Sequence, residues 1–119
     1  MDSPGKDEPW PIELRLDQTK ALLKVSYDNG EIFALPAEYL RVESPSAEVQ
    51  GHGSGQKTIV TGKERVKIAT LEPVGNYAVR IVFDDGHDTG LFSWHYLLEL
   101  GREQASRWQR YLMAKRSLR

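Results

Sequence analysis

Residues 77–100, YAVRIVFDDGHDTGLFSWHYLLEL, decide the fold. Val79, Ile81 and Phe83 alternate with Arg80 and Val82, the period-two pattern of a half-buried strand. Asp85-Gly86 suits a two-residue hairpin turn, whose central positions need positive φ. A second strand follows, and then a helical turn over 93–100 that Ser93 can cap and Gly101 can end. The same order occurs once before. LLKVSYDNG (22–30) aligns with AVRIVFDDG (78–86) at a constant offset of 56. Leu23, Val25 and Tyr27 fall on Val79, Ile81 and Phe83, Lys24 falls on Arg80, and Asn29-Gly30 falls on Asp85-Gly86. Past the turn the offset is 57, with LPAEYLR (35–41) on FSWHYLL (92–98) and Tyr39-Leu40 on Tyr96-Leu97. The later copy thus holds one extra residue near Asp88-Thr89-Gly90, which a bulge with a left-handed glycine would absorb.

Working outward, Ile12-Glu13-Leu14-Arg15-Leu16 alternates cleanly and predicts a strand with Ile12, Leu14 and Leu16 inward. Pro36 is placed to open the first helical turn at its first position. Residues 50–56 form a glycine loop, and Thr58–Thr61 reads as a brief strand. Val66–Leu71 reads as a strand with Val66, Ile68 and Thr70 on one face, followed by a turn at 72–76. Residues 102–117 predict a helix whose stripe of Ala105, Trp108 and Leu112, flanked by Tyr111, docks on its own domain. The expected fold class is α+β: a single β-rich domain, mainly antiparallel, built from two hairpin-plus-helical-turn units, with a C-terminal helix. The expected division is a disordered N-terminus (1–9), the domain (10–101) and a basic helix (102–119).

At 119 residues, 39% apolar and 28% charged, the chain has the composition of one ordinary globular domain. It lacks an apolar run long enough for a membrane helix, and MDSPGKDEPWP lacks the apolar centre of a signal peptide. With no cysteine it has neither a disulfide framework nor a thiolate metal site. A cytoplasmic location is expected. Residues 102–119 carry six Lys or Arg against one Glu, a net +5, so the rest of the chain is −6 within an overall −1. Cations near a helix C-terminus complement its dipole. The acidic body argues against nucleic-acid binding, which needs a broad basic footprint.

GHGSGQKT (51–58) is not a phosphate loop, because Gln56 rather than glycine precedes Lys57 and no strand or long helix flanks it. His87, Asp88 and His95 could supply a two-histidine, one-carboxylate iron set. Their spacing argues against this, and His95 occupies the solvent-facing slot held by Glu38 in the first copy. Phe92, Trp94 and Tyr96 form an aromatic group that suits core packing, with an exposed recognition surface as the alternative.

SPSAEVQGHG (44–53), LPAEYLR (35–41) and LEPVGNYAVRIVFDDGHDTGLFSWHYL (71–97) closely resemble the gamma-butyrobetaine hydroxylase-like N-terminal domain family, over about residues 10–101. The resemblance implies a compact β-rich α+β module. In full-length hydroxylases this module precedes an iron- and 2-oxoglutarate-dependent domain. It also occurs attached to P-loop iron–sulfur carriers and in small stand-alone bacterial proteins. In the hydroxylases it holds zinc through three cysteines after an L-R motif and one histidine. By resemblance, Leu40-Arg41 is that motif, the cysteine positions fall at Ser44, Ser46 and Val49, and the histidine falls at His87. Serine is a poor neutral zinc ligand and valine is none, so no cofactor is expected. Zinc or iron at His87 is the alternative.

The expected function is a non-catalytic binding module for another protein, linked to iron–sulfur or oxidative metabolism. The oxygenase domain is expected to be absent, and the chain is not expected to be an enzyme. The expected binding surface comprises Gly51, His52 and Gly53 with Asp85, His87 and Trp94. The alternative is a metal-binding accessory component of an oxidoreductase using His87, His52 and neighbouring carboxylates. No nucleic-acid or membrane partner is expected, and the chain is expected to be a monomer or a weak homodimer through the Trp108 stripe.

Overall fold

A computed structural model describes residues 8–46, 49 and 59–118. Among them run β1 (Pro11–Leu16), β2 (Leu22–Tyr27), β3 (Ile32–Pro36), α1 (Ala37–Val42), β4 (Ile68–Val74), β5 (Ala78–Phe83), β6 (Gly90–Ser93), α2 (Trp94–Arg102) and α3 (Gln104–Ser117). The strands make two three-stranded antiparallel sheets in the orders β1-β2-β3 and β4-β5-β6. Each sheet leads directly into a helix. The result is an α+β domain with a C-terminal helix.

The repeated unit is longer than a hairpin and a turn, because a preceding strand belongs to it. The Asp28 amide donates to the Trp10 carbonyl, and the Asp84 amide donates to the Lys67 carbonyl. In return the two aspartate side chains accept the Trp10 and Lys67 amides, each at 3.0 Å. A break in register follows in both copies, between Pro11 and Glu13 and between Ile68 and Thr70. Both hairpin turns also match. Tyr27 bonds to the Glu31 carbonyl and Phe83 to the His87 carbonyl, and the Asn29 and Asp85 side chains each accept the amide two residues on.

These details correct several sequence expectations. The loops are three-residue turns in which only the glycines, Gly30 (φ 93) and Gly86 (φ 91), are left-handed. The bulge at Ile12 and at Ala69 shifts the alternation by one. Ile12 is therefore 67% exposed rather than inward, and Thr70 is exposed although Val66 and Ile68 are buried. β4 continues through Val74, so the turn is confined to Val74–Tyr77. Residues 59–61 form no strand, and Thr58 lies outside the described residues. Pro36 is the N-cap of α1, not its first residue. Gly90 is not left-handed; an added Cβ there would meet Ser44 Oγ at 2.5 Å and the Phe92 ring at 3.0 Å. Gly101 does not end α2 but lies inside it, where an added Cβ would come within 2.7 Å of three Phe33 ring atoms. The expectations for residues 1–7 and for the glycine loop at 50–56 lie outside the described residues.

The predicted inward faces meet in one core. Leu23, Val25 and Tyr27 from β2 join Val79, Ile81 and Phe83 from β5, with Tyr39, Leu40, Leu97 and Leu100 from the helices. Full burial of such side chains contributes roughly 1.5–3 kcal/mol each. The two units lock reciprocally. Tyr39 of α1 donates to the Leu100 carbonyl at 2.7 Å, and Tyr96 of α2 donates to the Glu43 carbonyl at 2.6 Å. Each residue in one bond is offset by 57 from its counterpart in the other, as in a two-fold contact. Burial pushes the Tyr96 phenol up to about 12 and raises Tyr39 also, so both remain donors.

α3 packs on this body, but its inward face is rotated from the predicted stripe. Tyr111 is buried, Trp108 and Leu112 are half-buried, and Ala105 is exposed. Trp108 meets the Tyr39 ring edge-on at 6.2 Å. Arg107 bonds to Glu43 (3.0 Å), Glu99 (2.7 Å) and Glu103 (2.9 Å), and only 5% of the Glu43 side chain is exposed. The helix cations therefore serve partly as internal partners for carboxylates, beyond any complement to the dipole.

Candidate functional site

The β5–β6 turn presents Asp85 and His87 to the segment that leaves α1. His87 is buried, and its Nε2 lies 2.9 Å from Ser44 Oγ and 3.3 Å from Ser46 Oγ. Val49 is buried as well. One Asp85 oxygen accepts from Arg41 Nε (2.8 Å) and Lys63 Nζ (2.7 Å), and the other accepts the His87 amide at 3.1 Å. Burial opposes ionisation of Asp85. Hydrogen bonds from Lys63, the His87 amide and Arg41 outweigh it and hold the carboxyl well below the usual carboxylate range. Gly90 completes the arrangement, since a side chain there would displace Ser44 from His87.

A serine hydroxyl 2.9 Å from an imidazole has the spacing of a nucleophile and its base. Here Ser44 is fully buried, so the pair is closed to substrate and serves to tie the hairpin turn to the end of α1. A profile of the family described as gamma-butyrobetaine hydroxylase-like, N-terminal, matches residues 14–98. The chain belongs to this family.

No curated protein matches the chain. Among solved structures, one NMR solution structure is 47% identical over 99% of this chain and 88% of its own, with a TM-score of 0.81. A second NMR structure is 43% identical over 92% and 86%, with a TM-score of 0.79. A crystal structure of a DUF971-family protein of unknown function from Acidithiobacillus ferrooxidans is 41% identical over 76% and 91%, with a TM-score of 0.64. Of the family's zinc positions carried over by resemblance, Ser44 and Ser46 lie against His87. The side-chain donors at those positions are one imidazole and two hydroxyls, a set that does not fit zinc. Among the described residues, no group of three His, Asp or Glu is placed to hold a metal ion.

The other sequence-predicted residues disperse. Gly51, His52 and Gly53 lie outside the described residues. His95 is exposed on α2, with Nδ1 2.6 Å from Glu8. Asp88 lies beside Arg80. Trp94 sits at the other end of β5 from Asp85 and His87, about 20 Å away along a six-residue strand. Its Nε1 donates to the Asn76 carbonyl at 2.8 Å, and its amide donates to the Tyr77 carbonyl.

That end of the molecule carries a surface of which the sequence reading named only Trp94. Trp10 (48% exposed), Ile12 (67%) and Tyr77 (55%) stand around Trp94. Two adjoining clefts share the Trp10 and Trp94 rings, one continuing along Ile12 and Leu14, the other reaching Tyr77 and His95. Glu13 and Glu8 lie at their margins. One signal was present: Tyr77 stands where the first copy has Ala21, an aromatic residue the repeat does not call for.

Proposed function

We propose that this chain is a non-catalytic docking module whose ligand is an extended segment of another protein. The observation that carries this reading is the cluster of Trp10, Ile12 and Tyr77 around Trp94. Large aromatic residues gathered on an exposed surface are the usual anchors of recognition. Pro11 and the bulge at Ile12 blunt β1 as an edge for strand addition, so the segment lies in the clefts. Glu8 and Glu13 favour a segment that carries Lys or Arg beside its apolar residues. In this reading the module needs no metal, since Ser44 and Ser46 engage His87 directly. The resemblance to modules found beside oxygenase and iron–sulfur carrier domains supports seeking the partner in iron–sulfur or oxidative metabolism, in the cytoplasm.

Selection from a random peptide library on the immobilised protein tests the reading. Enriched peptides should combine apolar and basic residues and should lose binding to Trp10→Ala and to Tyr77→Ala. Peptides that bind both variants undiminished would place recognition elsewhere. Titration with Zn(II) and Fe(II) should show no stoichiometric uptake; uptake abolished by His87→Ala would favour a metal-binding role.

A further inference from the structure

A separate cleft lies between the end of α1, residues 59–60 and α3. It encloses about 240 Å³, and Val42, Ile59, Val60 and Ala114 supply apolar wall. Two arginines also line it, Arg107 and Arg110. Arg107 is matched by Glu43, Glu99 and Glu103. Arg110, three residues on, is exposed and has no ion pair among the described residues. The cleft thus joins an apolar chamber to one uncompensated cation at its margin. Glu43 lies at the inner wall and is already engaged by Arg107, so a cationic ligand finds no uncommitted carboxylate on that pair.

We propose that this cleft binds a small aliphatic monocarboxylate, with its chain against Val42, Val60 and Ala114 and its carboxylate on Arg110. The charge and the shape point to the same chemistry. An apolar wall gains free energy with each methylene covered, and a guanidinium receives a carboxylate through paired hydrogen bonds. A dianion is less suited, since Arg107 is committed elsewhere. A primary amine of the same length would set its charge against Arg110.

The test uses straight-chain monocarboxylates of increasing length, with alkylamines and alcohols of matched length, followed by amide shifts in two-dimensional NMR of the full chain. Carboxylates should give saturable shifts centred on Val60 and Ala114 and should tighten with length until the cleft is filled. Arg110→Gln should weaken binding about ten-fold or more, the loss of one charge-assisted interaction. Arg116→Gln, on the same helix but outside the cleft, should leave it unchanged. Ala114→Leu, which fills the chamber with a good helix former, should abolish it. Equal binding of amines and carboxylates, an Arg110→Gln variant that binds as the parent does, or absence of saturable shifts at millimolar ligand would each overturn the proposal.

Discussion

Gly101→Ala probes the tightest packing against a glycine among the described residues. In an ordinary helix interior this change stabilises by about 1 kcal/mol, because glycine has the larger backbone entropy to lose. Here the new Cβ would lie within 2.7 Å of three ring atoms of Phe33. Carbon atoms prefer about 3.5–4.0 Å, so ring and helix must separate by about 1 Å. Overpacking on that scale costs about 1–3 kcal/mol. The clash should exceed the propensity gain, leaving a net loss of about 1 kcal/mol and a Tm lower by about 4–8 °C. The decisive measurement is a double-mutant cycle with Phe33→Ala, read by urea denaturation. Truncation at Cβ deletes the Cγ and Cδ atoms that the new methyl meets, so it should remove the clash and expose the helix-propensity gain, giving a coupling of about 1 kcal/mol or more. If Gly101 instead ended the helix in a left-handed conformation, Gly101→Ala would destabilise without regard to Phe33. Additive single effects, or a Gly101→Ala variant more stable than the parent, would refute the packing account.

Tyr39→Phe and Tyr96→Phe should each lower stability by about 1–2 kcal/mol, since each leaves a covered carbonyl without its phenol; chemical denaturation should show two similar losses, and two silent variants would remove the reciprocal lock. Asp85 has a folded-state pKa held below its ordinary 3.8. It therefore contributes stability at neutral pH that is lost as pH falls through the folded value. Asp85→Asn should be the less stable protein at pH 7, with the gap closing under acid; a gap independent of pH would mean that the ion pairs with Arg41 and Lys63 are not its source.

The duplicated unit was legible because local rules dictate it. The apolar alternation in β2 and β5, the Asn-Gly and Asp-Gly turns and the Ser93 cap act over a few residues, and the structure contains each of them. Ile12 and Thr70 escaped prediction because a bulge in each strand puts the alternation on its two sides out of phase while leaving the composition of the strand unchanged, so that Leu14 and Leu16 pack inward and Ile12 does not. The rotation of α3 escaped because the periodicity of Ala105, Trp108 and Leu112 does not register the carboxylates that draw Arg107 inward.

Sequence alone determined the alternating strands of the two hairpins, the places of their glycine turns, the repeat and the family, since these depend on neighbours along the chain, but not the length of the turns or the bounds of β4. Only the tertiary structure decided that Ser44, Ser46 and His87 form one buried cluster, that Trp94 belongs with Trp10 and Tyr77, and that Arg110 has no ion pair among the described residues. Those relations span tens of residues. They are fixed by how the described sheets and helices pack, and side-chain chemistry read in order carries no distance across that gap.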